Sequence, residues 1–181
     1  MSRRRSYPDD DPTTFEEHLT GDAIASAVAA AGVHFERWSA EESLPDGAGP
    51  EEILAAYRKQ VDELMAKHGF VTADVVAMDA STPDPEGARR KFLSEHTHSE
   101  DEARFFIGGA GLFCIHHRER VFALLCEKDD LINVPAGTKH WFDMGPEPDF
   151  RCIRVFTDPS GWVANFTGSD MADRFPKMGE S

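Results

Sequence analysis

Apolar residues recur at helical spacing in the first half of the chain and at alternate positions in the second. Between Pro50 and His68, the residues Ile53, Leu54, Tyr57, Val61, Leu64 and Met65 fall on one face of a 3.6-residue repeat, which predicts an amphipathic helix. Pro50 stands where a helix can begin and Gly69 where one can end. The small, helix-favouring run from Ala23 to Ala31 predicts another helix. Between these segments "VHFERW" alternates like a short strand, and "GAGP" reads as a turn.

Beyond about Lys91 the pattern becomes a series of short strands: "EARFFI", "GLFCIHH", "RVFALLC", "DLINVP", "KHWFDM" and "FRCIRVF". Turn signals separate them, at Gly108-Gly109, His117 to Arg120, Lys128 to Asp130, Pro135 to Gly137 and Gly145-Pro146. Strands at this spacing predict a mainly β protein, an antiparallel barrel or sandwich, with helices mostly N-terminal. The chain reads as one domain over 1–181: a loose tail at 1–14, a mixed helical elaboration at 15–90, the barrel at 91–166 and a C-terminal tail at 167–181.

Composition narrows the partners. Lys and Arg number 19 against 33 Asp and Glu, a net charge of −14. A field of that sign repels phosphate backbones and anionic lipid, which argues against nucleic acid and membrane surface as partners. It also repels an anionic small substrate, so a pocket for one needs its own cation. Cys114, Cys126 and Cys152 are odd in number and widely spaced, which argues against a disulfide framework and a thiolate metal site. The N-terminus has no apolar signal region and no run approaches a membrane span, so a cytoplasmic protein is expected, as a monomer.

The candidate chemistry begins at "SEHTHSEDEARFFIGGAG", Ser94 to Gly111. On a strand, His96 and His98 share a face, and Glu102 can join them from the next turn or strand. Two imidazoles and a carboxylate suit a divalent first-row ion such as Fe(II), Ni(II), Mn(II) or Zn(II). A solvated strand end in an acidic protein has the same local look. A fourth candidate, His140 in "VPAGTKHWFDMG", favours the metal. If Glu102 faces inward, so do Arg104 and Phe106; if His140 does, so does Phe142. Arg104 then supplies the local cation, the alternative being a surface arginine paired with an acid. Arg154 shares a face with Phe150, Cys152 and Phe156, in a pocket or snorkelling at a barrel mouth. His116 and His117 are neighbours on a strand and cannot both chelate one ion. Gly108-Gly109-Ala-Gly111 lacks the features of a phosphate loop and reads as a hairpin turn.

The combined pattern, H-x-H-x3-E-x6-G from His96 to Gly109 and P-x-G-x2-H from Pro135 to His140, resembles the two signature boxes of the cupin superfamily. Arg90 stands in place of the glycine usual before the first box, and Asp129 and Met144 replace the usual glycine and asparagine around the second. Those departures affect turn geometry rather than ligation. Within cupins, the helical first half, "FERW" and the two boxes resemble the acireductone dioxygenases of methionine salvage, in their bacterial form, from about Phe15 to Phe166. The resemblance implies one Fe(II) or Ni(II) per chain on His96, His98, Glu102 and His140. It implies acireductone and O2 as substrates, Arg104 and Arg154 at the reacting anion, and an aromatic wall of Phe92, Phe142 and Trp162, Phe92 having the strand parity of His96. Fe(II) would give 4-methylthio-2-oxobutanoate and formate, and Ni(II) would give 3-(methylthio)propanoate, formate and carbon monoxide. A non-catalytic cupin that binds a metal or small ligand, and a cupin sugar-phosphate isomerase, are the alternatives; neither would consume oxygen.

Overall fold

The computed structural model describes residues 3–45, 47–158, 160 and 163–180. Strands β1 (Arg3–Pro8) and β2 (Glu16–His18) come first, then helix α1 (Gly21–Ala29) and β3 (His34–Arg37). Helices α2 (Pro50–Ala56) and α3 (Arg58–His68), strand β4 (Thr72–Met78) and helix α4 (Pro85–Leu93) follow. The rest is β5 (His96–Thr97), β6 (Glu102–His117), β7 (Arg120–Glu127), β8 (Asp130–Val134), β9 (Lys139–Asp143), β10 (Phe150–Phe156), β11 (Asn165–Phe166) and a single-turn α5 (Met171–Arg174).

The strands make two antiparallel layers that share β6. Its first half pairs with β10 and β8, which continue to β4 and β3. Its second half pairs with β9 and β7, which continue to β5 and β11 on one side and to β1 and β2 on the other. The ladder does not close on itself. Between the layers lies the main core, with Phe106, Phe113, Ile115, Phe122, Leu124, Phe142 and Phe150, joined by Ile24 and Val28 of α1. Helices α2 and α3 cover the outer face of the first layer through Ile53, Tyr57, Val61 and Leu64 against Ala103, Phe105, Leu131 and Ile153. Met171, Ala172 and Phe175 cover the outer face of the second against Tyr7, Cys114, Val121 and Trp141.

Four expectations are corrected. Gly108-Gly109 is not a hairpin turn: "EARFFI" and "GLFCIHH" are one sixteen-residue strand with a bulge. Cys152 pairs with Phe106 and Arg151 with Gly108, leaving Ile107 without a partner on β10. The extra residue exchanges the faces, so Glu102, Arg104 and Phe106 point inward before it and Gly111, Phe113 and Ile115 after it. The helix predicted over 50–68 is two, broken at Tyr57 (φ −94, ψ 15), whose buried hydroxyl donates to the Ala40 carbonyl at 2.9 Å. Residues 3–8 are not loose, since β1 pairs along its length with β7 and buries Arg4, Ser6 and Tyr7. The C-terminal segment is packed too, because α5 and Phe175 supply the apolar cover that the second layer's outer face needs.

Candidate metal centre

The two boxes meet because their turns are bonded to each other. The Gly137 amide donates to the His98 carbonyl at 2.9 Å, and the Ala136 amide donates to Asp101 Oδ1 at 2.8 Å. β5 and β9 are neighbours, with His96 opposite His140. The histidine that follows the Pro-x-Gly turn is thereby delivered beside the H-x-H pair. His96, His98 and His140 are all buried, with one nitrogen of each within 4.8 Å of the others.

Hydrogen bonding decides which nitrogen faces inward. Nδ1 of His96 lies 2.7 Å from the Ser94 carbonyl, Nδ1 of His98 2.9 Å from that of Val163, and Nδ1 of His140 2.8 Å from that of Thr138. A carbonyl can only accept, so each Nδ1 donates its proton and each neutral ring turns the Nε2 lone pair toward the centre. Burial favours this neutral form, lowering the His96 pKa and pushing that of His140 down to about 3. Nε2 of His98 and His140 and Oε2 of Glu102 are buried with no hydrogen-bond partner. His98 Nε2 and Glu102 Oε2 lie 3.0 Å apart, two lone-pair atoms facing each other. Such an arrangement is unfavourable without a cation between them, and a divalent ion fits the donor set.

Arg104 hydrogen-bonds through Nε to the other Glu102 oxygen. Burial works to raise the Glu102 pKa, but the Arg104 charge holds it well below the usual carboxylate range. The site therefore keeps a carboxylate, with His96 and His140 favoured in the neutral form that ligation requires.

Residues 5–164 match the model of the ARD/ARD' family. The chain belongs to that family. It is 52% identical over 181 residues to an acireductone dioxygenase of Hahella chejuensis, a match spanning 98% of this chain and 96% of the relative. It is 57% identical over 156 residues to one from Marinobacter nauticus, spanning 86% and 84% of the two chains. Among solved structures it resembles an acireductone dioxygenase from Bacillus anthracis with a cadmium ion in its active centre, at 26% identity and a TM-score of 0.81, covering 92% of this chain and 98% of that one. The architecture is a cupin fold.

Within this ARD-family chain the arginines differ. The Arg104 guanidinium carbon stands 5.2 Å from the Phe113 ring centre and 5.3 Å from that of Phe142, and the residue is 4% exposed. The surface alternative is thereby excluded. Arg154 lies opposite Arg104 and Asp74 in the register, on the same inner face, and donates to both Asp74 oxygens at 2.9 and 2.5 Å. It is a paired cation one strand away from the ligands.

The Phe113 ring stacks on His140 (5.3 Å, 12° between planes). Gly111 leaves the space that the Phe142 ring tip occupies, since a Cβ there would overlap Cζ and Cε2. Phe92 meets Phe142 edge to face at 6.2 Å, but from helix α4 rather than from a strand, so its shared parity with His96 is incidental. Trp162 lies outside the described residues. Asp129, in place of the usual glycine before the second box, adopts φ 79 and accepts the Ala40 amide at 2.9 Å.

Sequence reasoning missed Asp143. It is 1% exposed, takes a bidentate Arg89 from α4 at 2.7 and 3.0 Å, and accepts the amides of Gly145 and Met178. One carboxylate so joins β9, α4 and the C-terminal segment. The only advance signal was an acid directly after the apolar pair Trp141-Phe142, three residues beyond His140.

Proposed function

We propose that the protein is an acireductone dioxygenase, a metal-dependent oxidoreductase cleaving 1,2-dihydroxy-5-(methylthio)pent-1-en-3-one with O2 in methionine salvage. The observation that carries this reading is the buried set of unprotonated donors, in a chain more than half identical to acireductone dioxygenases over most of its length. His96, His98, Glu102 and His140 would hold a single Fe(II) or Ni(II) ion. Such an ion, when bound, would supply a Lewis-acid centre for the enediolate and the redox character that would select between keto acid with formate and propanoate with formate and carbon monoxide.

The chain's own residues do the rest. Arg104 offsets the negative charge of the enediolate, which a protein of net charge −14 would otherwise repel. Phe113 and Phe142 exclude water beside it, so the attraction acts in a poorly screened space. The ligand N–H groups are committed to backbone carbonyls, which leaves the rings no free proton to deliver to the substrate. Arg154 contributes positive potential from behind its pair with Asp74, and Phe92 adds to the apolar wall against Phe142. We place the enzyme in the cytoplasm, where three buried cysteines stay free, and as a monomer.

Anaerobic reconstitution of one metal-free preparation with Fe(II) or Ni(II), followed by acireductone and oxygen, tests the reading. Both forms should speed oxygen uptake, and only the Ni(II) form should release carbon monoxide. Uptake no faster than autoxidation in either form would leave a metal-binding cupin without this activity. Identical products from both forms would remove the metal control alone.

A further inference from the structure

Glu95 is 1% exposed and points away from the metal centre, the neighbour of His96 on the opposite strand face. A buried carboxylate is costly unless its oxygens are hydrogen-bonded. Here both are engaged: Oε2 accepts from His116 Nδ1 at 2.7 Å and Oε1 accepts the Thr167 hydroxyl at 2.7 Å. The Thr167 amide also donates to the Glu95 carbonyl at 3.0 Å. On its far side His116 Nε2 faces Asp9 Oδ2 at 3.6 Å.

What these bonds hold is a weakly built edge. β5 and β11 have two residues each, and β11 is the outermost strand of its layer. So short a ladder is marginal by itself. Burial does not hold the segment either, since Val163 is 48% and Phe166 58% exposed. Yet this segment supplies the Val163 carbonyl that orients His98, and it lays the edge of Phe166 against His96 at 5.9 Å. The carbonyl that orients His96 belongs to Ser94, in the peptide that joins Ser94 to Glu95.

We propose that Glu95, His116 and Thr167 form a positioning network that clamps β11 to β5 and thereby sets the orientation of His96 and His98. None of the three ligates the ion. The proposal rests on the metal-binding reading above. His116, which strand parity separates from the ligand set, acquires a role through the backbone: it fixes the carboxylate that fixes the strand carrying the ligands. Outer partners that aim ligating imidazoles govern metal affinity by about tenfold to a hundredfold, so the network should be visible as affinity and ligand field before it is visible as folding.

The test is Co(II) binding to the full-length, metal-free protein, read by chelator competition and by the visible d–d spectrum, beside a thermal melt without metal. Thr167→Val keeps the shape and removes one donor, and Glu95→Ala removes the hub; each should weaken Co(II) binding, Glu95→Ala by about tenfold, and shift the bands. His116→Leu should resemble Glu95→Ala, whereas His116→Asn, whose amide can present an N–H at the Nδ1 position to Glu95, should return toward the parent protein. The metal-free Thr167→Val protein should melt close to the parent. If Glu95→Ala does not fold, Thr167→Val and the two His116 variants decide. Unchanged Co(II) affinity and spectrum in Thr167→Val and His116→Leu would overturn the proposal, as would lower melting temperatures with unchanged affinity, the sign of a purely structural role. His140→Ala separates the two readings: if it binds Co(II) normally, the metal site itself is wrong. If it loses Co(II) while the network variants keep it, only the clamp is wrong.

Discussion

Replacing Gly109 with alanine should damage this protein severely, while the same change one residue earlier should be harmless. Gly109 has φ 63, and a Cβ built there would lie 2.6 Å from the Asp149 carbonyl carbon and 2.7 Å from the Phe150 Cα, with the Asp149 oxygen closer still. Holding alanine in the left-handed region costs roughly 1–2 kcal/mol. The obstructing atoms are backbone of the paired strand, so relief means moving β10 or β6 by nearly an ångström, an overpacking cost of roughly 1–3 kcal/mol. Together these amount to about 3 kcal/mol, a large fraction of the roughly 5–15 kcal/mol that typically separates a folded domain from its unfolded chain. Gly108 has ordinary backbone, and its Cβ would meet only the Arg151 Cβ at 3.8 Å. Gly108→Ala should be neutral or stabilise by roughly 0.4–1 kcal/mol through the unfolded state. Guanidinium unfolding of the two variants measures the contrast. Gly109→Ala should also lose metal, because a strand that sheds its bulge turns Phe113 and Ile115 away from the core while Arg104 stays inside. A Gly109→Ala protein as stable as Gly108→Ala would refute the reasoning and with it the role given to the bulge.

Arg104→Ala should lower kcat/KM for acireductone on the order of a hundredfold per bound metal, counted by elemental analysis, and should also weaken metal binding because Arg104 holds Glu102; unchanged turnover per metal would remove it from the reaction. His96→Ala, His98→Ala, Glu102→Ala and His140→Ala should each lose bound metal or activity, and an active, stoichiometric His140→Ala would end the ligand assignment. Asp143→Asn should lose about 2–3 kcal/mol in denaturant unfolding, since it weakens a charged bidentate bond and two amide contacts. Burial works to raise the Asp143 pKa, but Arg89 and the Met178 and Gly145 amides hold it below its ordinary value. Its contribution is therefore full above about pH 4 and lost as pH falls through the lower folded-state value, so the parent's advantage over Asp143→Asn should shrink on acidification.

The barrel strands were legible because most of their inward positions are apolar and most of their turns carry Gly, Pro or Asp, and the ligands because H-x-H and P-x-G-x2-H are local spacings. β1 was not, since "RRRSYP" places Arg4 and Ser6 on the inner face, where a period-two reading expects apolar residues. Arg4 solves that by lying over the Phe122 ring at 4.7 Å, a long-range contact no window along the chain contains. Phe92 was placed near Phe142 through family resemblance, while parity was the wrong argument, because a helix intervenes. The bulge was hidden behind two glycines that serve a hairpin equally well. Asp143 and Glu95 were hidden because a buried acid looks like a surface acid until its partners, Arg89 or His116 and Thr167, are known.

β1 joins the sheet beside β7, pairing Arg3 with Leu125 and Pro8 with Arg120, whereas the strands that carry the metal ligands lie within the stretch from β5 to β9. During folding the ligand-bearing strands can associate through short loop closures, while β1 must close a far longer loop to reach β7. The chain's first strand should therefore dock after them. Under native conditions it should also open more readily than the central strands, so amide exchange at residues 3–8 should outpace exchange in β6 and β9 even when the ion is firmly held.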